Sequence, residues 1–438
     1  MKVLKFGGTS VGSAQRMKEV SNLILDGQKK IVVLSAMSGT TNTLVEISDY
    51  LYKRNPDAAN ETINKLALKY DAVIDELYTT EAFKAKAREV VTAHFDQIRS
   101  FTGNLFTLFE EKVVLAQGEL LSTNIFTNYL LEQGVKAVLL PALEYMRVDK
   151  NAEPDTDYIK ENLAKQLANY PDTDIFITQG FICLNAYGEV DNLQRGGSDY
   201  SASIVGAAIK AEEIQIWTDI DGMHNNDPRI VDKTAPVSHL HFEEAAELAY
   251  FGAKILHPTC ILPAKLANIP VRLLNTMQPE AFGTLISNKT EKHKIKAVAA
   301  KDGITAIKIK SGRMLLAYGF LRKIFEIFES YQTPIDMVAT SEVGVSLTID
   351  KNKNLQEIID ELKKFGTVTV DTDMVIICVV GDLEMENVGF ETTVLQAVNA
   401  IPVRMISYGG SNYNISLLVK SEDKRRTMQA LSDQLFNN

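Results

Sequence analysis

The first forty residues alternate between strand-like and helix-like patterns, and this order constrains the fold more than any other feature. The apolar run VLKF at 3–6 ends directly in Gly7-Gly8, and apolar residues at helical spacing follow over 17–25. The run IVVL at 31–34 is uninterrupted, which is typical of a strand buried on both faces of a parallel sheet. Because parallel neighbours need a crossover between them, the sequence predicts a βαβ unit here.

The same alternation resumes further along the chain. Strand-like apolar runs occur at 135–140, 175–178, 214–218 and 271–274, with helical patterns at 201–210 and 242–250. We therefore predict an α/β fold, an αβα sandwich with a mainly parallel sheet, ending near residue 287. The intervening stretch 44–102 contains no glycine and has helical spacing, so we interpret it as a helical insertion that supplies packing surface rather than chemistry.

The last 140 residues differ in character. The segment PIDMVA at 334–339 resembles PVRMIS at 402–407, and the Gly-Phe pair at 319–320 recurs at 389–390. We predict two ferredoxin-like βαββαβ units of about 70 residues each. A lysine-rich linker at 291–301 would separate a catalytic domain at 1–290 from regulatory domains at 302–438.

Composition excludes several classes of function. Lys and Arg total 46 against 56 Asp and Glu, and the resulting net charge of −10 argues against a general nucleic-acid binder. The three cysteines, Cys183, Cys260 and Cys378, are too widely spaced to predict a disulfide framework or a metal site. No signal peptide and no apolar run near the ~20 residues of a membrane span is present, so we expect a cytoplasmic protein without membrane contact.

Two glycine pairs stand before helix starts and could bind anions. In KFGGTS at 5–10, backbone N–H groups, the Lys5 ammonium and the Ser10 hydroxyl could cradle a phosphate, although an ordinary tight turn explains the glycines too. In RGGSD at 195–199, Arg195 could bind a carboxylate with two hydrogen bonds, while the last two residues could merely cap a helix. The chain contains no Gly-Lys dipeptide, so no Walker A motif, and no dinucleotide-binding fingerprint.

Three further motifs carry polar residues at strand or helix ends. WTDIDG at 217–222 follows a buried strand, where open α/β sheets bind ligands, or is a surface loop with side-chain-capped turns. Lys254 lies among apolar residues and either snorkels or faces an anion. Glu119 could hold an ammonium group, or is a first-turn acid of a helix running to 131. Together, these motifs suit phosphoryl transfer by positioning and charge neutralisation.

The order of these motifs closely resembles aspartate kinase over the whole chain. The resemblance implies the amino-acid kinase fold followed by paired ACT domains, in a monofunctional enzyme similar to the lysine-sensitive class, without a fused homoserine dehydrogenase. The implied reaction converts ATP and L-aspartate to ADP and 4-phospho-L-aspartate, the first step of lysine, threonine and methionine biosynthesis. Because ACT domains usually pair across chains, a homodimer or homotetramer is expected.

The resemblance also implies a role for individual residues. The catalytic pair would be Lys5 and Asp199. The aspartate substrate would be bound by Ser35, Thr41, Glu119, Arg195 and Ser198, with Arg195 on its α-carboxylate and Glu119 on its ammonium group. ATP, with Mg²⁺ carried on its phosphates, would be bound by Lys5, Gly7, Gly8, Ser10, Thr218, Asp219, Arg229 and Lys254. A lysine effector would be bound by Met314, Gly319, Phe320, Leu321, Asp336, Thr340 and Ser341.

Other functions fit part of the pattern. A second amino-acid kinase, acting on glutamate, acetylglutamate or a nucleotide, is disfavoured by the Arg195 motif and the ACT-like tail. A sensor that binds effector without catalysis is disfavoured because Lys5, Glu119, Asp199 and Lys254 are all present. A dehydrogenase is disfavoured by the missing fingerprint. The effector identity, lysine or threonine, stays open.

Overall fold

The chain forms two compact units. The structure, a computed structural model, describes residues 1–193, 196–252, 256–312, 318–384 and 386–436. The first unit comprises Met1–Met223 and Ile255–Asn288, and the second comprises His224–Lys254 and Lys289–Asn438. The segment 224–254, assigned from sequence to the catalytic part, therefore groups with the C-terminal part of the chain. The boundaries at 290 and 301 stay predictions.

The elements follow the alternation expected from the sequence. The strands are β1 Lys2–Phe6, β2 Lys30–Leu34, β3 Ala137–Leu140, β4 Ile175–Gln179, β5 Ile182–Leu184, β6 Val190–Asn192, β7 Ile214–Thr218, β8 His239–His241, β9 Val271–Asn275, β10 Thr284–Ser287, β11 Ile295–Lys310, β12 Val338–Ser341, β13 Gly344–Ile349, β14 Thr367–Gly381, β15 Met405–Ser407 and β16 Asn414–Lys420. The α-helices are α1 Ala14–Ile24, α2 Thr40–Tyr52, α3 Pro56–Leu77, α4 Glu81–Ser100, α5 Leu108–Glu132, α6 Thr156–Ala168, α7 Gly197–Ile209, α8 Phe242–Tyr250, α9 Leu262–Leu266, α10 Phe320–Ser330, α11 Leu355–Lys363, α12 Phe390–Ala397 and α13 Lys424–Phe436.

The first unit is built on a mainly parallel sheet with the strand order β3-β4-β2-β1-β7-β9-β10. All of these strands pair in parallel except β10, which runs antiparallel to β9. Phe6, the last residue of β1, pairs with Leu34 and Trp217, and Leu34 pairs with Gln179. The register thus aligns the carboxyl ends of four strands at one edge, where open α/β sheets bind ligands. The predicted α/β fold is confirmed.

The helical insertion is confirmed as α2 to α5, and α5 supplies a residue to the sheet edge. A capping box formed by Thr107 and Glu110 starts α5 at Leu108, about three turns before Glu119. Glu119 therefore lies well inside the helix, and its interpretation as a first-turn acid is wrong. Between Val113 and Leu130, α5 has buried residues on all of its faces, so this part of the helix runs through the core instead of along the surface.

The second unit contains two ferredoxin-like modules that share two long strands. Its sheet is antiparallel with the order β12-β13-β11-β14-β16-β15. The register shifts within β11 between Lys301 and Ile304, so each half of this strand serves a different module. The first module uses 304–310, α10, β12, β13, α11 and 367–371. The second uses 374–381, α12, β15, β16 and α13, and takes its outer strand from 295–301. The first module is thus inserted into the second.

This nesting gives the predicted linker a structural role. Residues 295–301 form a strand against 376–381, with Ala297 and Val298 buried. Val298 packs in a cluster with Val375, Ile377 and other apolar residues of the second module. The lysine content of the stretch suggested a solvated connector, but its apolar residues Val298 and Ala299 lie in the interior. In the described part of the chain, no helix is long and apolar enough to cross a bilayer.

Replacing Val298 by Asp tests this assignment. We expect a loss of roughly 3–5 kcal/mol in the free energy of unfolding of the second unit, because an unpaired carboxylate would lie in its core. Urea unfolding followed by circular dichroism measures the loss. The control is Lys292→Asp, at an exposed position just before the strand. Equal stability of the two variants would contradict the assignment.

Candidate active site

A mostly buried ion pair joins the central strand of the sheet to the start of α7. The Lys5 Nζ lies 2.7 Å from the Asp199 Oδ1, and the two side chains are 11% and 18% exposed. Gly196 and Gly197 have φ values of +68° and +48°, which allow the chain to turn sharply into the helix. The Asp199 N–H donates to the Gly196 carbonyl at 3.1 Å, which places the carboxylate in the first turn. The structure therefore brings the predicted catalytic residues together.

The glycine turn after β1 packs tightly against the loop after β2. The Ser38 N–H donates to the Gly8 carbonyl at 3.1 Å. A Cβ atom at Gly8 would come within 2.8 Å of the Ala36 carbonyl oxygen, so only glycine fits. A Cβ atom at Gly7 would lie 3.3 Å from the Lys5 Nζ, so the ammonium group lies beside this turn. The turn, the loop and the lysine form one wall of the site.

A cavity of about 320 Å³ opens beside this wall, within the range of small-metabolite sites. It is lined by Gly8, Ser35, Ala36, Met37, Ser38, Gly39, Thr41, Asn42, Glu119, Phe181, Gly197 and Ser198. The lining includes four predicted substrate residues, Ser35, Thr41, Glu119 and Ser198. The Ser35 hydroxyl donates to the Ser198 hydroxyl at 2.9 Å, so the loop after β2 and the first turn of α7 meet beside the cavity.

Glu119 presents a buried carboxyl group to this cavity. Its Oε1 accepts the Ala36 N–H at 3.1 Å, and its Oε2 is buried without a hydrogen-bond partner in the described chain. Burial raises the pKa of Glu119 to about 8, against the opposing effect of the Ala36 hydrogen bond. A carboxyl group with one unpartnered buried oxygen is suited to bind a cation.

Comparison with known proteins agrees with this geometry. Residues 1–275 match the amino acid kinase family, and residues 377–435 match the ACT domain. The chain is 33% identical to lysine-sensitive aspartokinase 3 of Escherichia coli over 99% of both sequences. The chain belongs to the aspartokinases. It is also 35% identical to the chloroplastic aspartokinase 1 of Arabidopsis thaliana, over 100% of this chain and 80% of the relative.

A solved aspartokinase shares the fold along its full length. The crystal structure of E. coli aspartokinase III in complex with aspartate and ADP matches with a TM-score of 0.82 and 32% identity, covering 100% of both chains. The family resemblance read from the sequence is confirmed, and with it the enzyme class. A dinucleotide-dependent dehydrogenase is excluded by the same finding.

The nucleotide residues expected for this aspartokinase lie in both units. Thr218 ends β7 and its hydroxyl accepts the Ile220 N–H at 3.0 Å, closing a turn that leaves Asp219 exposed. Arg229 belongs to the second unit, where its guanidinium forms two hydrogen bonds with the carboxylate of Asp227. Arg195, Lys254 and the effector residue Met314 lie outside the described residues.

The expected effector residues of the aspartokinase lie in the first ACT module. Gly319 has a φ of +78° and precedes α10, which begins with Phe320 and Leu321, while Thr340 and Ser341 end the exposed strand β12. The Asp336 carboxylate is buried, with its Oδ1 2.7 Å from both the Lys301 ammonium and the Tyr250 hydroxyl. Its Oδ2 is buried and makes no hydrogen bond within the described chain.

Two residues at these sites of the aspartokinase, Cys260 and Thr276, were missed from sequence. Cys260 packs behind the Gly196 turn, since a Cβ atom on that glycine would lie 1.6 Å from its Sγ. Thr276 forms a hydrogen bond with Ser10 at 2.8 Å. The strand-end rule that drew attention to Thr218 also applies to Thr276, one residue past β9, whereas no sequence pattern points to Cys260.

Proposed function

We propose that the chain transfers the γ-phosphoryl group of MgATP to the side-chain carboxylate of L-aspartate, forming an acyl phosphate. The Lys5–Asp199 ion pair, placed in the same unit as a small cavity lined by Glu119, carries this proposal. The E. coli relative crystallised with aspartate and ADP, and the shared family supports the same substrates here.

The chemistry requires positioning and charge neutralisation more than proton transfer. A side-chain carboxylate is already ionised near neutral pH, so the nucleophile needs no general base. The barrier comes from bringing an anion to a polyanion, and fixed cations lower it. We assign Lys5 to the transferring phosphoryl group, with Asp199 holding its ammonium in place.

The two charged groups on the α-carbon of the substrate each have a proposed partner. The buried Oε2 of Glu119 would accept the ammonium group of aspartate, with the Ser35 and Ser198 hydroxyls beside it. Thr41 lines the same cavity. The Arg195 motif would clamp the α-carboxylate, as the family resemblance implies. An amino acid held by both of these groups presents its side-chain carboxylate in one orientation, which lowers the entropic part of the reaction barrier.

The nucleotide would lie over the glycine turn after β1. The Gly8 N–H and the Lys5 ammonium suit the phosphates, while the Gly7 N–H already donates to the Trp217 carbonyl at 3.4 Å and Gly7 lets the turn approach them closely. Thr218 and Asp219 at the end of β7 suit the rest of the nucleotide. Lys254 and Arg229 complete the set by resemblance. Mg²⁺ arrives as part of the nucleotide substrate, bound to its phosphates, and supplies further charge neutralisation there.

Regulation would act through the ACT modules, with lysine as the proposed effector. The E. coli relative is described as lysine-sensitive. An effector ammonium would bind the unpartnered Oδ2 of Asp336, and its carboxylate would bind near the start of α10 at Gly319 and Phe320. We further propose a homodimer or homotetramer formed through these modules, in the cytoplasm.

The proposed reaction is tested by trapping the acyl phosphate as a hydroxamate, with aspartate or glutamate as substrate. We expect product from aspartate, and a loss of roughly 10²–10³-fold in kcat for Lys5→Met, because one fixed cation is removed from the phosphoryl group. The control Lys2→Met changes a lysine of the same strand. Hydroxamate from glutamate alone, or normal turnover of Lys5→Met, would refute the assignment.

The aspartate KM should fall as pH rises through 7 toward 8. Only ionised Glu119 binds an ammonium group, and a pKa of about 8 leaves roughly a tenth of it ionised at pH 7. Binding therefore improves several-fold until the carboxyl group is largely ionised. Glu119→Gln should raise the KM and abolish its pH dependence, whereas Glu111→Gln, on the same helix, should keep the wild-type profile. A flat wild-type profile would contradict the role of Glu119.

Lysine sensitivity should depend on Asp336. We expect Asp336→Asn to raise the half-inhibitory lysine concentration by about tenfold or more, the effect of losing one charge-assisted hydrogen bond. Asp350→Asn is the control, because it also removes a partner of Lys301, at 3.0 Å, without touching the proposed ligand. Isothermal titration with lysine and threonine separates binding from inhibition. An unchanged lysine curve for Asp336→Asn would contradict the site.

A further inference from the structure

Three strand ends in the first unit are joined by one threonine that the proposed function does not use. Ser10 lies in the turn after β1, Thr218 ends β7 and Thr276 follows β9. Thr276 is 6% exposed and Ser10 is 1% exposed, so both hydroxyls are withdrawn from bulk water. The Thr276 Oγ1 lies 2.8 Å from the Ser10 Oγ and 2.6 Å from the Thr218 carbonyl oxygen.

The number of hydroxyl hydrogens fixes the direction of these two hydrogen bonds. A carbonyl oxygen can only accept, so the single hydroxyl hydrogen of Thr276 is donated to Thr218. Ser10 must then donate its own hydrogen to Thr276. A phosphate oxygen is itself an acceptor, so the Ser10 hydroxyl cannot donate a hydrogen bond to it while it donates to Thr276. The hydroxyl of Ser10 can offer a ligand only its lone pairs, which suit a cation or an N–H donor.

We infer that Thr276 is a positioning residue for the nucleotide site. It fixes the rotation of the Ser10 hydroxyl and ties the phosphate turn to the strand end that carries Thr218 and Asp219. The inference rests on the proposed function, since it takes the turn that carries Ser10 to bind the nucleotide. It also revises the expectation that Ser10 cradles phosphate as a donor.

A purely structural role for Thr276 would depend on its backbone and its shape rather than on its hydroxyl group. The Thr276 backbone N–H also donates to the Thr218 carbonyl, at 2.8 Å, and holds β9 to β7 without the hydroxyl. Valine at this position keeps the shape and the backbone bond and removes only the hydroxyl chain. A loss of activity in Thr276→Val that is absent in Thr276→Ser is therefore caused by the missing hydrogen bonds of the hydroxyl group to Ser10 and Thr218.

The test compares Thr276→Val, Thr276→Ser, Ser10→Ala and the double variant Ser10→Ala/Thr276→Val in the full chain. We expect Thr276→Val to lower kcat/KM for MgATP by about tenfold while the aspartate KM stays within about twofold, because a misoriented group in the phosphate turn affects the nucleotide alone. Thr276→Ser should stay within about threefold of wild type. The double variant should be no worse than Ser10→Ala, since Thr276 acts through Ser10.

The control is Thr127→Val, a buried threonine of α5 whose hydroxyl has no hydrogen-bond partner in the described chain. Titration with MgADP gives a readout that needs no turnover, and Thr276→Val should weaken this binding by a similar factor. Wild-type kinetics for Thr276→Val, equal losses for the valine and serine variants, or additive losses in the double variant would each overturn the inference. Failure of the wild-type chain to form aspartyl hydroxamate would refute the proposed function instead.

Discussion

The geometry of the candidate active site depends on the ion pair between Lys5 and Asp199. Lys5 belongs to the central strand of the parallel sheet, so its ammonium group is held at the carboxyl edge by pairing on both sides. An ion pair this far from water contributes little net stability, because desolvation offsets most of the attraction. Its value lies in orientation, since the carboxylate fixes the lysine where a polyanion would bind. The turn before Asp199 requires glycine at 196, because its φ is +68° and a Cβ atom there would lie 1.6 Å from the Cys260 Sγ.

The regulatory unit depends on a different constraint, the sharing of long strands. β11 and β14 each contribute one half to either ACT module, so the strands of both modules belong to one continuous sheet. The buried cores on the two halves are separate, one centred on Ile307 and Leu347 and the other on Val375 and Leu417. The two modules are therefore joined by continuous strands. Covalent continuity of this kind is a physical route for coupling between the modules.

The sequence predicted the sheet well, because its strands depend on local patterns, whereas the pairing of Lys5 with Asp199 was expected only from the family resemblance. Apolar runs ending in glycine or polar residues defined β1, β2 and β7. The glycine turn before a helix start drew attention to Lys5 and Ser10, and the rule that ligands bind at strand ends drew attention to Thr218. The start of α5 and the strand at 295–301 were misjudged. In both cases the polar residues, Glu119 or the lysines of 291–301, suggested a solvent-exposed segment, although the residues beside them in the chain are buried. Partners far apart in sequence, such as Cys260 behind Gly196, leave no local signal at all.

Asp336 shows why tertiary contacts decide what a binding residue can do. From sequence it is a carboxylate offered to an effector, but its Oδ1 already binds the Lys301 ammonium and the Tyr250 hydroxyl. Lys301 also lies 4.4 Å from the centre of the Tyr250 ring, so the three groups are held as one cluster. An ammonium group from solution would share this carboxylate with an internal one of the same chemistry. Under the proposed regulation, the affinity for the effector is a difference between two similar interactions and is set as much by Lys301 and Tyr250 as by Asp336.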